Sequence, residues 1–150
     1  MPPPKPDPEQ FQMCAFRVGQ ERYAIDIRRV KEILGAQRVA PLPRAPSFVD
    51  GVIELRGALV PVVDVRRRLG VEPSVAAGKE KVLVCLVGRG RIALVVDAVT
   101  QVLRAAPEEL KPAPPLPGGS SCVLGAVGAG AALTFLLDVH ALMDAGAEAR

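Results

Sequence analysis

Residues 81–96, KVLVCLVGRGRIALVV, decide the fold class. Two apolar runs, Lys81 to Val87 and Arg91 to Val96, flank Gly88-Arg89-Gly90. That arrangement predicts a β-hairpin, because strand-forming residues meet across a glycine-containing turn. Moving outward, Phe11 to Val18 reads as a strand, with Phe11, Met13, Ala15 and Arg17 on one face and Gln12, Cys14, Phe16 and Val18 on the other. Gly19-Gln20-Glu21-Arg22 turns it into a second strand through Tyr23-Ala24-Ile25. A third hairpin is expected where Cys122 to Val127 meets Ala131 to Leu137 across Gly128-Ala129-Gly130. Short apolar runs divided by glycine turns predict an all-β protein.

Composition agrees with that class. The 150 residues are 49% hydrophobic and 23% charged, which suits one domain or two closely joined lobes and is too apolar for disorder. Aromatic residues make up 3% and Trp is absent, so the core must rest on Val, Leu, Ala and Ile, and few rings remain to stack nucleic-acid bases. A net charge of +3 comes from 19 basic and 16 acidic residues that are interspersed, with Arg66-Arg67-Arg68 the main local cluster. Cys14, Cys85 and Cys122 follow no CxxC pattern, so buried reduced thiols in a cytosolic protein are expected rather than a disulfide or metal site. Residues 1–10, MPPPKPDPEQ, read as a disordered Pro-rich segment without the apolar run of a signal peptide, and 144–150 as a flexible tail. The uncharged span from Pro112 to Leu137 is broken by prolines and glycines, which argues against membrane insertion.

One phrase recurs. Two apolar residues, an Asp and another apolar residue occur as Ala24-Ile25-Asp26-Ile27, Val62-Val63-Asp64-Val65, Val95-Val96-Asp97-Ala98 and Leu136-Leu137-Asp138-Val139. Helix-compatible segments follow each one: IRRVKEIL, VRRRL, AVTQVL and VHALM. In the first, Ile27, Val30, Ile33 and Leu34 share a helical face and Gly35 offers a stop. Asp26, Asp64, Asp97 and Asp138 are therefore expected to cap helix N-termini, where a carboxylate accepts bonds from free N–H groups and suits the helix dipole. The competing reading gathers the four acids into a carboxylate cluster for metal or acid–base chemistry.

No catalytic constellation stands out. His140 is the single histidine and has no local partner that would make it a base. Ser47, Ser74, Ser120 and Ser121 lie in Pro- or Gly-rich loops without a nucleophile elbow, and Gly128-Ala129-Gly130 lacks the remainder of a dinucleotide fingerprint. Neither an enzyme activity nor a cofactor or metal is expected. Surface features remain: the proline-punctuated stretch from Val39 to Val49, Pro61 within a strand that must then be an edge or bulge, and Arg56 at the Leu55-Arg56-Gly57 turn. Arg56 reads either as salt-bridged surface or as an interface anchor using its five-donor fork.

The run from Ala45 to Arg66, APSFVDGVIELRGALVPVVDVR, closely resembles the signature of the CheW family of chemotaxis coupling proteins. Tyr23-Ala24-Ile25-Asp26-Ile27 with Val30-Lys31-Glu32-Ile33 upstream, Ile92 to Val99 downstream, and the connector Pro107 to Pro114 extend the likeness over residues 11–143. The resemblance implies two five-stranded SH3-like β-barrels packed on a shared apolar seam, with short connecting helices. It implies a non-enzymatic cytoplasmic adaptor, recruited to membrane-associated receptor arrays, that couples chemoreceptor tips to the regulatory domain of a CheA-type histidine kinase and meets other CheW-like domains. Carried over by position, the receptor-binding groove comprises Val30, Glu32, Val82, Val99 and Val102, and the kinase-binding edge comprises Val39, Phe48, Gly51 and Arg56. Glu54 stands where the family usually has Asn, and Asp50 where a basic residue is frequent. The alternative is a basic small-barrel nucleic-acid binder using Arg66, Arg67 and Arg68 with Arg28 and Arg29.

Overall fold

The structure, a computed structural model, describes residues 10–113 and 122–143. Of the disordered segment expected at residues 1–10 only Gln10 is described, and the tail expected at 144–150 and Ser120 and Ser121 lie outside the described residues. Strands dominate: β1 (Phe11–Val18), β2 (Glu21–Asp26), β3 (Val30–Leu34), β4 (Gly51–Leu55), β5 (Ala58–Asp64), β6 (Lys81–Val87), β7 (Gly90–Val96), β8 (Ala98–Ala105), β9 (Lys111–Pro112), β10 (Val123–Val127) and β11 (Thr134–Leu137). Two short α-helices, α1 (Val65–Leu69) and α2 (Val139–Leu142), and three 3-10 turns complete the described chain.

The strands form two sheets, ordered β8-β1-β2-β11-β10-β9 and β3-β6-β7-β5-β4. The first is the core of lobe 1 and has a sixth, two-residue strand beyond the five expected; the second is the core of lobe 2. Each contains one parallel pair, β11 with β2 and β5 with β7, among antiparallel ladders. Lobe 2 curls toward closure. The chain after β3 returns to the far edge, where Ala40 N–H donates to Val52 O at 2.9 Å and Val52 N–H to Ala40 O at 2.8 Å.

Period-2 alternation sorts the core into three clusters. Cys14, Phe16 and Val18 from β1, Tyr23 and Ile25 from β2, Leu83 and Cys85 from β6, and Ile92, Leu94 and Val96 from β7 meet in a seam between the lobes. The intervening residues point the other way: Met13, Ala15 and Ala24 into lobe 1, and Val82, Val84, Ala93 and Val95 into lobe 2. Strands buried on both faces must be apolar throughout, which explains the unbroken runs in KVLVCLV and RIALVV. Pro61 is tolerated in β5 because it lies opposite Val52 and precedes Val62–Asp64, the part that pairs with β7.

Two of the four expected helices are strands. After Asp26, Ile27–Arg29 makes a single 3-10 turn and the chain then enters β3. Val30, Ile33 and Leu34 fit a helical spacing, yet exposure alternates along the segment and its ladder to β6 wins. After Asp97 the chain runs directly into β8, whose Val99 and Val102 oppose Phe16 and Cys14 on β1.

Candidate functional site

Val30 lies opposite Cys85, Val99 opposite Phe16 and Val102 opposite Cys14. Those three partners belong to the inter-lobe seam, and residues opposite one another in a ladder share a face. The valines therefore carry the seam outward onto the outer strands β3 and β8, one from each lobe. Val30 and Val99 are half-buried against the seam, while Val102 is 54% exposed. Val82 does not join them. It is 2% exposed and packs in the lobe 2 core, because β6 lies between β3 and β7 and is covered on both faces. It sits apart from the seam valines, at the floor of the lobe 2 cleft.

Glu32 and Arg56, expected on different surfaces, meet. Arg56 Nη1 donates to Glu32 Oε1 and Nη2 to Oε2, both at 2.7 Å, a two-pronged pair. The hydrogen bonds from Arg56 hold the Glu32 carboxyl below its ordinary pKa. Arg56 reaches this position from a two-residue turn in which Arg56 has φ 51° and Gly57 φ 82°. Positive φ at both positions matches the twist of a tight hairpin, and an arginine there adopts a backbone that side-chain-bearing residues usually avoid.

The remaining expected kinase-edge residues divide. Gly51 is buried, and a Cβ there would stand 2.2 Å from Ala40 O and 2.8 Å from Val39 Cγ1. Glycine is thus required for the close crossing that seats Val39, and Gly51 offers no contact surface of its own. Phe48 is half-buried against the seam and anchors its loop. Val39 remains exposed on the rim of a cleft of about 480 Å³ at one end of lobe 2, with Ile53, Val62, Val82 and Val95 lining its apolar part.

The four Asp residues do not make a metal centre. Among the described residues no group of His, Cys, Asp and Glu is placed to hold a metal ion. Asp26 accepts from Arg28 N–H at 2.9 Å and Asp138 from His140 N–H at 3.0 Å, each at the start of its own short helix or turn. Arg28 also donates three side-chain bonds to Asp26, which lower the carboxyl pKa. Asp64 caps α1 through Arg66 N–H at 3.0 Å.

Asp97 departs from its expected role as a cap. No helix follows it, and its side chain is fully shielded. Oδ2 accepts from Gly19 N–H at 2.7 Å, Ser74 N–H at 3.0 Å and the Ser74 hydroxyl at 2.8 Å, and Oδ1 accepts from Arg66 Nη1 at 3.1 Å. Burial pushes its pKa up, but these hydrogen bonds outweigh that effect and leave it lowered. Arg66 also donates to both oxygens of Asp64, so one guanidinium joins two of the repeated acids. None of the Asp97 side-chain partners is nearer than 23 residues in sequence, and no local pattern announces them.

The arginine cluster is structurally engaged. Arg66 bridges Asp64 and Asp97, Arg67 pairs with Asp50, and Arg68 donates to Leu142 O at 3.2 Å and Ala141 O at 3.4 Å at the end of α2. Asp50 in turn accepts from Asp64 N–H at 2.6 Å, which gives this departure from the family pattern a structural use. With Arg28 paired to Asp26, the nucleic-acid reading loses most of the cations on which it rested. Cys14, Cys85 and Cys122 are buried; burial raises the Cys14 pKa, and burial with the nearby Cys14 pushes Cys85 up to about 12.

A CheW-like domain model matches residues 12–147. The chemotaxis protein CheW of Treponema pallidum is 30% identical over 142 residues, covering 91% of this chain and 84% of that protein. CheW of Rhizobium meliloti is 37% identical over 103 residues, covering 69% and 66%. The crystal structure of the scaffolding protein TtCheW from Thermoanaerobacter tengcongensis superposes with a TM-score of 0.79 at 24% identity, over 89% of this chain and 92% of that one. The likeness in sequence and the two-sheet architecture agree, and the chain belongs to the CheW-like domain family, the non-catalytic adaptor proteins of chemotaxis.

Proposed function

We propose that this adaptor couples the cytoplasmic tip of a chemoreceptor to the regulatory domain of a CheA-type histidine kinase, within arrays that contain further CheW-like domains. The receptor tip lays the apolar face of a helix along Val30, Val99 and Val102. The observation that supports this reading is the ladder register, which brings a valine stripe from the seam to the surface on one outer strand of each lobe. Glu32 and Arg56 act together, their ion pair holding the β4–β5 turn against β3. The kinase regulatory domain docks at the Val39 rim of the lobe 2 cleft, where an apolar side chain finds Ile53 and Val62 beneath it.

Recruitment to a membrane would then be indirect, through the receptor. No helix among the described residues is long and apolar enough to cross a membrane. Titration calorimetry with a purified receptor cytoplasmic fragment and a kinase regulatory domain tests the assignment. Val102→Asp should weaken receptor binding at least about tenfold and leave the kinase unaffected, and Val39→Asp should do the reverse. Unchanged binding of both partners by both folded variants would remove the reading.

A further inference from the structure

The seam that joins the lobes is apolar, and apolar contact is non-directional: it holds two bodies together without setting their angle. Hydrogen bonds to a buried carboxylate do set an angle, since each donor must approach within a narrow range of direction. Such bonds cross the lobe boundary at Asp97. Gly19 belongs to the β1–β2 turn of lobe 1; Ser74 and Arg66 belong to the loop after α1 and to α1 itself, on lobe 2; and Asp97 is the joint between β7 of lobe 2 and β8 of lobe 1. Gly19 also has φ 62°, and a Cβ there would stand 2.3 Å from Val71 Cγ1, so the lobe 1 turn is pressed against the lobe 2 loop.

We propose that Asp97 is a positioning residue which, through Gly19, Ser74 and Arg66, fixes the angle between the lobes and thereby the separation of the β3 and β8 valines. Its four side-chain bonds all come from donors, so only a group with acceptor capacity throughout satisfies them. Asparagine has nearly the same shape but turns an NH₂ toward at least one of those donors. The effect on partner binding rests on the groove reading above; the effect on lobe angle does not.

Nitroxide labels at Lys31→Cys on β3 and Gln101→Cys on β8, both exposed positions flanking the proposed groove, report that separation by electron–electron distance measurement on the full chain. Asp97→Asn is expected to shift or broaden the distance distribution while the far-ultraviolet dichroism stays that of the parent. Arg66→Lys, which keeps the charge but loses the fork between Asp64 and Asp97, is expected to act in the same direction and serves if Asp97→Asn fails to fold. Asp138→Asn, at a cap distant in sequence, should leave the distribution alone. A distribution in folded Asp97→Asn or Arg66→Lys identical to the parent's would overturn the proposal. Where the distribution changes, receptor-fragment binding should fall about tenfold. A changed distribution with unchanged binding upholds the positioning role and counts against the groove reading instead.

Discussion

The joints at Asp97 and Asp138 begin from nearly the same words, Val95-Val96-Asp97-Ala98 and Leu136-Leu137-Asp138-Val139, and become different devices. Asp138 caps the turn that follows it, bonding the N–H of His140, two residues on. Asp97 accepts from groups 23, 31 and 78 residues away and ends no helix. The difference lies downstream. Val139–Leu142 has no ladder to join and closes a helical turn, whereas Ala98–Ala105 finds β1 and becomes an outer strand. A capping acid proposes a helix, and the neighbouring strand decides whether one forms.

Replacing each acid by alanine measures that difference most directly. Asp97→Ala leaves the buried Gly19 N–H and the part-buried donors of Ser74 and Arg66 without their acceptor and should cost about 3 kcal/mol, read from chemical denaturation. A loss no larger than that of an exposed cap would break the comparison. The contribution of Asp97 is also acid-sensitive. Its folded pKa is lowered, so its stabilisation is complete above the unfolded value near 4 and is lost as pH falls through the lower folded value. The stability gap between parent and Asp97→Asn should accordingly narrow below about pH 4, whereas a gap constant down to pH 2 would contradict the assignment.

Gly19→Ala tests the same joint from the other lobe. A Cβ at a positive φ and against Val71 should cost roughly 1–2 kcal/mol, part of it by displacing the N–H that Asp97 holds. In the Asp97→Ala background that part should vanish, and thermal melts of the four combinations measure it. Asp138→Ala, the purely local case, should cost about 1 kcal/mol and combine additively with Asp97→Ala. The smallest effect concerns the thiols: native protein at pH 8 should resist a thiol reagent at Cys14 and Cys85, and label there on unfolding.

Sequence reading went furthest where structure is local. The hairpin expected at Gly88-Arg89-Gly90 forms, with a turn one residue tighter because Gly90 already pairs with Val87 in β7, and the alternation along Phe11–Val18 divides between two cores. It failed at IRRVKEIL and AVTQVL, where a helical spacing of apolar residues coexists with a two-residue one and the deciding partners, β6 and β1, lie far along the chain. Within the candidate site, Val102 and Val39 are accessible, but Val82 and Gly51 are interior. Resemblance by position carries both kinds of residue over alike, because it does not distinguish a glycine that seats a loop, as Gly51 does, from a side chain that faces solvent, as Val39 does. The Glu32–Arg56 pair spans 24 residues and depends on the curl of lobe 2, which no short window contains.

The placement of the lobes along the chain bears on how the protein is made. Lobe 2 is continuous, with all its strands between Val30 and Val96, whereas lobe 1 takes β1 and β2 from one side of it and β8 to β11 from the other. During synthesis the first hairpin emerges without its flanking strands, and a lone hairpin is marginal in water. The middle of the chain can complete its sheet first and offer the apolar face of β6 and β7 as a template for Phe16 and Ile25. Asp97 is the first residue translated after that sheet is complete, so the bond to Gly19 becomes possible only when the hairpin can already dock.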